Sequence, residues 1–288
     1  MRWQAAHPRP PQLDVSVAKA SDVVTRGMLF SGVTGVGFLN AVSEKSYLAY
    51  LRDGPMLFAL NTFDLSAIIW AAIIISLHDL WSIERGIPAG FRDKVVAGVA
   101  IVMILTPVPA LSTCAISLIG AYIWRTAKGD MRTRSVGALL FAVTIPLLWA
   151  RLIFAAFSDT LLAFDAKLVA WVVGTEPYAN IVPYPDGSGG MFFGPGCSSF
   201  TNISLAILCS ALFAHAFGKK WSREIWLWAL FSALTVLAIN VGRISLIGFY
   251  PNQYELIHGA VGTTLFGWIT VGLLLGVGLH GVGRVRTV

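Results

Sequence analysis

The feature that most constrains this chain is a series of long apolar runs without charge, such as 136–150, 225–242 and 259–279. In hydrocarbon no water is present to satisfy backbone N–H and C=O groups, so such runs are stable only as helices or closed barrels. A helix needs about 20 apolar residues to cross. Composition agrees: 56% of the 288 residues are hydrophobic and only 12% are charged, against about a quarter charged in soluble chains. Mean hydropathy is +0.71. The expectation is an all-α, polytopic helical membrane protein. No stretch is long and polar enough for a separate soluble domain.

Spans are expected at 27–42, 60–78, 136–158, 199–217, 225–247 and 258–281. The run 95–124 is broken by Thr106-Pro107-Val108-Pro109 and reads either as one kinked helix or as a hairpin. Charge favours the hairpin. Arg85, Arg92 and Lys94 lie on one side of it, and Arg125, Lys128, Arg132 and Arg134 on the other. Basic loops tend to be cytoplasmic, so an even number of crossings separates these two. Lys219, Lys220 and Arg223 mark another inner loop. Arg2, Arg9, Lys19 and Arg26 precede the first span, and Arg284 and Arg286 close the chain. The total is about eight transmembrane helices with both termini cytoplasmic, in the inner membrane. The net charge of +6 therefore reports orientation, and a nucleic-acid partner is not expected.

Residues 1–26 read as a polar cytoplasmic tail with Pro8, Pro10 and Pro11, too long and mixed for the n-region of a cleaved signal peptide. Residues 27–135 hold the N-terminal helices and 136–283 a core carrying the polar chemistry. The outer segment 159–198 has Asp159, Asp165, Glu176 and Asp186 against Lys167. Leu161 to Gly174 reads as a short interfacial helix. A hairpin-like piece follows, rich in Gly and Pro, and then a helix starting near Ser198 or Ser199.

Cys197 follows Gly194-Pro195-Gly196 and precedes Ser198 and Ser199, both helix-capping types. A thiol at a helix N-terminus feels the positive end of the dipole, which favours thiolate; the plainer reading is a small residue in a tight turn. Cys114 and Cys209 lie in apolar runs and read as small hydrophobes. With no C-x-x-C pair, neither a zinc site nor a disulfide framework is expected, and no cofactor is implied.

Arg243 lies within an apolar span near its outer end. Inserting an arginine there costs about 2.5–3.5 kcal/mol on insertion scales, so such residues usually pair or bind something; snorkelling is the alternative. Asn240, one turn earlier, faces the same side and either orients the guanidinium, contacts substrate or packs between helices. Arg151, in the outer half of its span, reads as a partner for Asp159 or a binder of a substrate carboxylate. Among the histidines, His78, His215 and His280 fall at cytoplasmic span ends and His7 in the tail. Only His258, opening the last span, shares a face with Cys197. A nucleophile, a base and a fixed cation at one depth make an acyl-transfer site.

In these residues the chain resembles the exosortase/archaeosortase family. The resemblance is carried by Gly196-Cys197-Ser198-Ser199, Asn240-x-x-Arg243 with Ile244, and His258-x-x-x-Gly262, in that order. Asn180-Ile181-Val182 and a Gly-rich turn precede the cysteine. It covers roughly 136–281. It implies a membrane cysteine protease or transpeptidase of sortase-like chemistry on an all-helical fold. Its partners would be exported proteins ending in a short motif, an apolar helix and a basic tail. Cys197 would form a thioester on the exterior face of the membrane, His258 would carry the proton, and Arg243 would hold the oxyanion. The family often has Gly after Cys-Ser, and Ser199 stands there in this chain. The competing expectations are a transporter with Arg243 and Arg151 along an anion path, or a polysaccharide-assembly component without peptidase chemistry. The first lacks the matched halves with broken spans common in transporters.

Overall fold

Caps and breaks cut the apolar sequence into ten helices and one small hairpin, in a computed structural model that describes residues 24–285. Residues 1–23 of the expected polar tail 1–26, with Arg2, His7, Pro8, Arg9, Pro10, Pro11 and Lys19, lie outside those residues, as does Arg286, while the tail's expected last residue, Arg26, is buried and already begins α1. α1 (Arg26–Leu60) starts at Thr25, whose hydroxyl accepts from Met28 N. It runs well beyond the expected end at 42 and kinks at Gly54, just before Pro55, because proline lacks the N–H that the helix would use. α2 (Ala67–Ile83) starts at the Ser66 cap, later than the expected 60. The ambiguous run 95–124 is two helices, α3 (Phe91–Leu105) and α4 (Pro109–Thr126). Pro107 separates them, and Pro109 begins α4 at the one helical turn that tolerates proline.

α5 (Met131–Thr144) is capped by Asp130, which accepts from the backbone of Arg132 and Thr133. It passes through a π-helical turn at Ile145–Trp149, which contains Pro146, into α6 (Ala150–Val173). The segment 159–198 therefore does not begin as a loop at 159. Helix continues to Gly174, whose left-handed backbone (φ 80) ends it. The reason is burial at helical spacing: Leu162, Asp165, Ala166, Val169, Ala170 and Val173 all face inward. The expected interfacial helix at 161–174 is thus continuous with the preceding one across a distorted residue, Phe157 (φ −128, ψ 21).

β1 (Ile181–Pro183) and β2 (Gly190–Phe192) form an antiparallel hairpin with Val182 opposite Met191. Val182, Met191 and the following Phe193 are buried. α7 (Ser199–Ala216), α8 (Arg223–Phe249), the five-residue α9 (Tyr254–His258) and α10 (Ala260–Val277) complete the chain, the last continuing through a π-helical turn at Gly278–Val282.

Four helical stretches are long and apolar enough to cross a membrane: Met131–Val173, Ser199–Ala216, Arg223–Phe249 and Ala260–Val282. α2 is apolar but only 17 residues long. The helices pack in two clusters. The larger joins α1 to α5 with α7, the N-terminal half of α8 and the C-terminal part of α10, and the smaller joins the second half of α6, the hairpin, Cys197 and the C-terminal end of α8. α4 and α5 touch backbone to backbone. A Cβ on Gly137 would sit 2.5 Å from Trp124 N, and one on Gly120 would sit 2.8 Å from Phe141 N. Small residues at such crossings replace hydrophobic drive with close van der Waals contact.

One buried polar network ties the first four helices. Arg26 donates through Nε to Asp93 at 3.1 Å and through Nη1 to Glu84 at 3.3 Å, and also to the Thr126 hydroxyl. Tyr122 donates to Asp93 at 2.8 Å. Two carboxyl groups thus face a single buried guanidinium.

Candidate active site

The glycine-rich approach, Gly194-Pro195-Gly196, folds into a single 3₁₀ turn ending at Cys197, and α7 begins two residues later. Ser198 is the cap of α7: its hydroxyl accepts from Phe200 N at 3.2 Å. Asn240 reaches across from α8. Its Nδ2 donates to the Cys197 carbonyl at 2.7 Å and to the Ser199 hydroxyl at 2.9 Å. Of the readings open for Asn240, the geometry therefore shows one not foreseen: it fastens the cysteine turn and makes no bond to Arg243.

Cys197 Sγ lies 3.4 Å from His258 Nε2. His258 does not open the last span; it ends the separate helix α9, two residues before α10 begins. The tight join depends on Gly262. A Cβ there would come 2.2 Å from the Ile257 carbonyl and 2.4 Å from that of Leu256, so only glycine lets α9 fold over the first turn of α10 and aim His258 at the sulfur. Tyr254, one turn before, stacks its ring on the imidazole at 5.0 Å and 9°.

Arg243 is 8% exposed, and its Nε is buried with no hydrogen-bond partner. No carboxyl group among the described residues pairs with it. The contrast with Arg26, which meets two, is direct. Arg243 borders a cavity of about 260 Å³ lined also by Gly196, Asn240, Asn61, Thr263 and Thr264. Thr264 donates to Asn61 Oδ1 at 2.6 Å, which closes α10 against the turn after α1.

The expected preference of Cys197 for thiolate is overturned by two features. Burial, the largest influence, pushes the thiol above its ordinary range. A Gly194 backbone bond and the Arg243 charge oppose it, while Asp165 adds to it. Asp165 accepts from Ser199 N at 2.9 Å, so an acidic group already occupies the N-terminus of α7 whose dipole was to favour the anion. His258 is held below its usual value, first by burial and then by Arg243, with Glu255 opposing. The resting pair is therefore a neutral thiol beside a neutral imidazole.

Arg151 is exposed on α6, does not border the Arg243 cavity and has no ion pair among the described residues. It joins neither Asp159 nor the site. Sequence reasoning missed two residues: Asp165, whose only signal is one acid within an apolar amphipathic segment, and Tyr254, whose signal is its four-residue spacing from His258. No group of three His, Cys, Asp or Glu side chains that would hold a metal ion occurs among the described residues. No family model, no curated protein and no solved structure matches this chain.

Proposed function

We propose that the chain is a membrane-embedded cysteine transpeptidase of the exosortase type, cutting C-terminal sorting signals of exported proteins. The observation that carries this reading is the 3.4 Å contact of Cys197 with His258, beside a buried Arg243 whose Nε has no hydrogen-bond partner among the described residues. A buried unpaired charge is costly and persists where it has work to do.

Arg243 faces the scissile carbonyl oxygen. Cys197 Sγ attacks the carbonyl carbon as its proton passes to His258 Nε2. The tetrahedral oxyanion forms against Arg243. The C–N bond then breaks, and the leaving amine takes the proton from His258. A thioester remains on Cys197. An acceptor nucleophile gives its proton to His258, attacks the thioester and releases the thiolate, which recovers the proton. Because the resting pair is neutral, proton transfer accompanies attack instead of preceding it. Asn240 and Asp165 keep the cysteine turn in place. Ser199 accepts from Asn240, which gives a role to the residue at which this chain departs from the family pattern.

In this reading the chain crosses the inner membrane eight times, with α5 and α6 forming one crossing and α9 outside the count. Both termini are cytoplasmic and Cys197 faces the exterior. The separation of α3 from α4 supports that number. The test is processing in cells of a partner that ends in a short motif, an apolar helix and a basic tail. Cys197→Ala inserts normally and leaves this partner full length. Normal cleavage by the variant removes the proposal.

A further inference from the structure

A second hydrogen-bonded constellation lies at the other end of α7 from Cys197, about 27 Å away along an 18-residue helix. His215 Nε2 lies 2.9 Å from Asp79 Oδ2, and His215 Nδ1 lies 2.9 Å from Ser135 Oγ. α2, α5 and α7 contribute one residue each, and nothing in the Cys197 chemistry uses them.

A carboxylate only accepts, so in the neutral imidazole Nε2 carries the proton and Nδ1 is left to accept from the Ser135 hydroxyl. That is the arrangement of a serine, a general base and an orienting carboxylate, with the two ring nitrogens exchanged relative to the familiar triad. The other Asp79 oxygen is held by His78 Nδ1 at 2.9 Å.

Ser135 differs from the helical serines whose hydroxyls are used up on their own backbone. Ser31, Ser76 and Ser210 each donate to the carbonyl four residues back, at 2.6, 2.7 and 2.9 Å. Ser135 Oγ instead reaches across to the His215 ring on α7. The His215 side chain is 5% exposed, so the base is shielded from water. Ser135 itself is half-buried and opens into a pocket of about 450 Å³ whose wall also includes Asp79, Met131, Arg132, His215 and Lys219. Arg132 lies three residues before Ser135, on the same helical face. Lys219 is tethered through Nζ to the Val285 carbonyl at 2.6 Å.

We infer that Ser135 is a second nucleophile, acting on an acyl ester whose molecule carries a negative charge recognised by Arg132. Its Oγ bonds to the acyl carbon as the proton moves to His215 Nδ1. The ester C–O bond breaks and the alcohol leaves with that proton. Water repeats the steps, freeing the acid and restoring Ser135. This site is independent of the reading given for Cys197.

The test uses the full chain in detergent micelles and an alkyl fluorophosphonate. Ser135 Oγ displaces fluoride from phosphorus, and the adduct is located by peptide mass spectrometry. Wild type and Cys197→Ala are both labelled at Ser135, so failure at the cysteine leaves this result intact. Ser135→Ala is unlabelled. His215→Gln and Asp79→Asn slow labelling at least about a hundredfold, the scale of a lost general base. No adduct on Ser135 in folded wild type overturns the inference whether or not the variants fold. Unchanged rates in both base variants overturn it too. A carboxylated nitrophenyl ester is cleaved faster than the neutral one, and Arg132→Gln removes that preference. A preference that survives Arg132→Gln overturns the assignment of charge recognition.

Discussion

Asn240 Nδ2 donates to the carbonyl oxygen of Cys197 at 2.7 Å, joining α8 to the turn that presents the nucleophile. The sulfur is therefore positioned by its backbone, from a helix that also carries Arg243 three residues on. An Asn240→Asp side chain keeps the shape but, when ionised, has no donor to offer. It would face a carbonyl and a hydroxyl with negative charge, and a buried acceptor left unpaired costs about 1–3 kcal/mol. The expected outcome is a fall in kcat of about tenfold or more with KM little changed, read from cleavage of a reporter substrate in micelles. A change confined to KM would assign Asn240 to substrate contact instead.

Arg243 predicts opposite signs for stability and activity. The guanidinium is buried and unpaired, so Arg243→Met removes a desolvated charge and raises the thermal unfolding midpoint. The same change lowers turnover by about 10²–10³, the range for loss of an oxyanion donor. Thermal unfolding and reporter cleavage on one preparation check both signs. A variant that is less stable and still active would show that the guanidinium serves the fold.

The pH profile follows from the neutral resting pair. His258 must be unprotonated to accept the thiol proton, and it is held below its ordinary 6.5. Activity therefore persists down to that pH and falls only below it. The thiol limb lies above the ordinary 9.0, since burial raises Cys197. A pH–rate profile measures both limbs. Iodoacetamide alkylation of Cys197 stays slow near neutrality and accelerates above that upper limb. Rapid alkylation well below pH 6.5 would indicate a preformed thiolate and contradict this description.

Gly262 acts on His258 through the backbone. Gly262→Ala forces a Cβ to within 2.4 Å of two carbonyl oxygens and displaces α9, whereas Gly272→Ala meets open space. Turnover falls about tenfold or more in Gly262→Ala, because misplacing a catalytic group by a fraction of its reach is costly, and is unchanged in Gly272→Ala, which lies on α10 outside the Arg243 cavity. Equal rates in the two variants would remove the positioning role.

The Cys197, Arg243 and His258 set was legible because charge bias assigns span ends to faces and the chemistry of three residue types then suffices. The helix start at Ser199 was legible from its cap. Asp165 was not, since it lies 34 residues from Ser199 in a segment that sequence reasoning read as a separate interfacial helix. Nothing local at Phe157 signals that the helix continues; the inward-facing row from Leu162 to Val173 decides it, and that row is buried by the hairpin and α8. The resting state of Cys197 was misread for the same reason: the helix end was visible in the sequence, but the acid occupying it was not. The Asp79–His215 contact spans 136 residues, and no short-range pattern encodes such a pairing. Arg151 looked equivalent to Arg243 by depth, and only packing separates them.

The most direct test is to trap an acyl intermediate on Cys197. Purified protein in micelles is mixed with a protein carrying the anchored C-terminal signal, quenched in acid and digested for mass spectrometry. The account predicts the N-terminal portion of the substrate linked to Cys197, released by hydroxylamine and absent in His258→Ala. Cleavage of the substrate with no hydroxylamine-sensitive adduct on Cys197, or undiminished cleavage by Cys197→Ala, would contradict it.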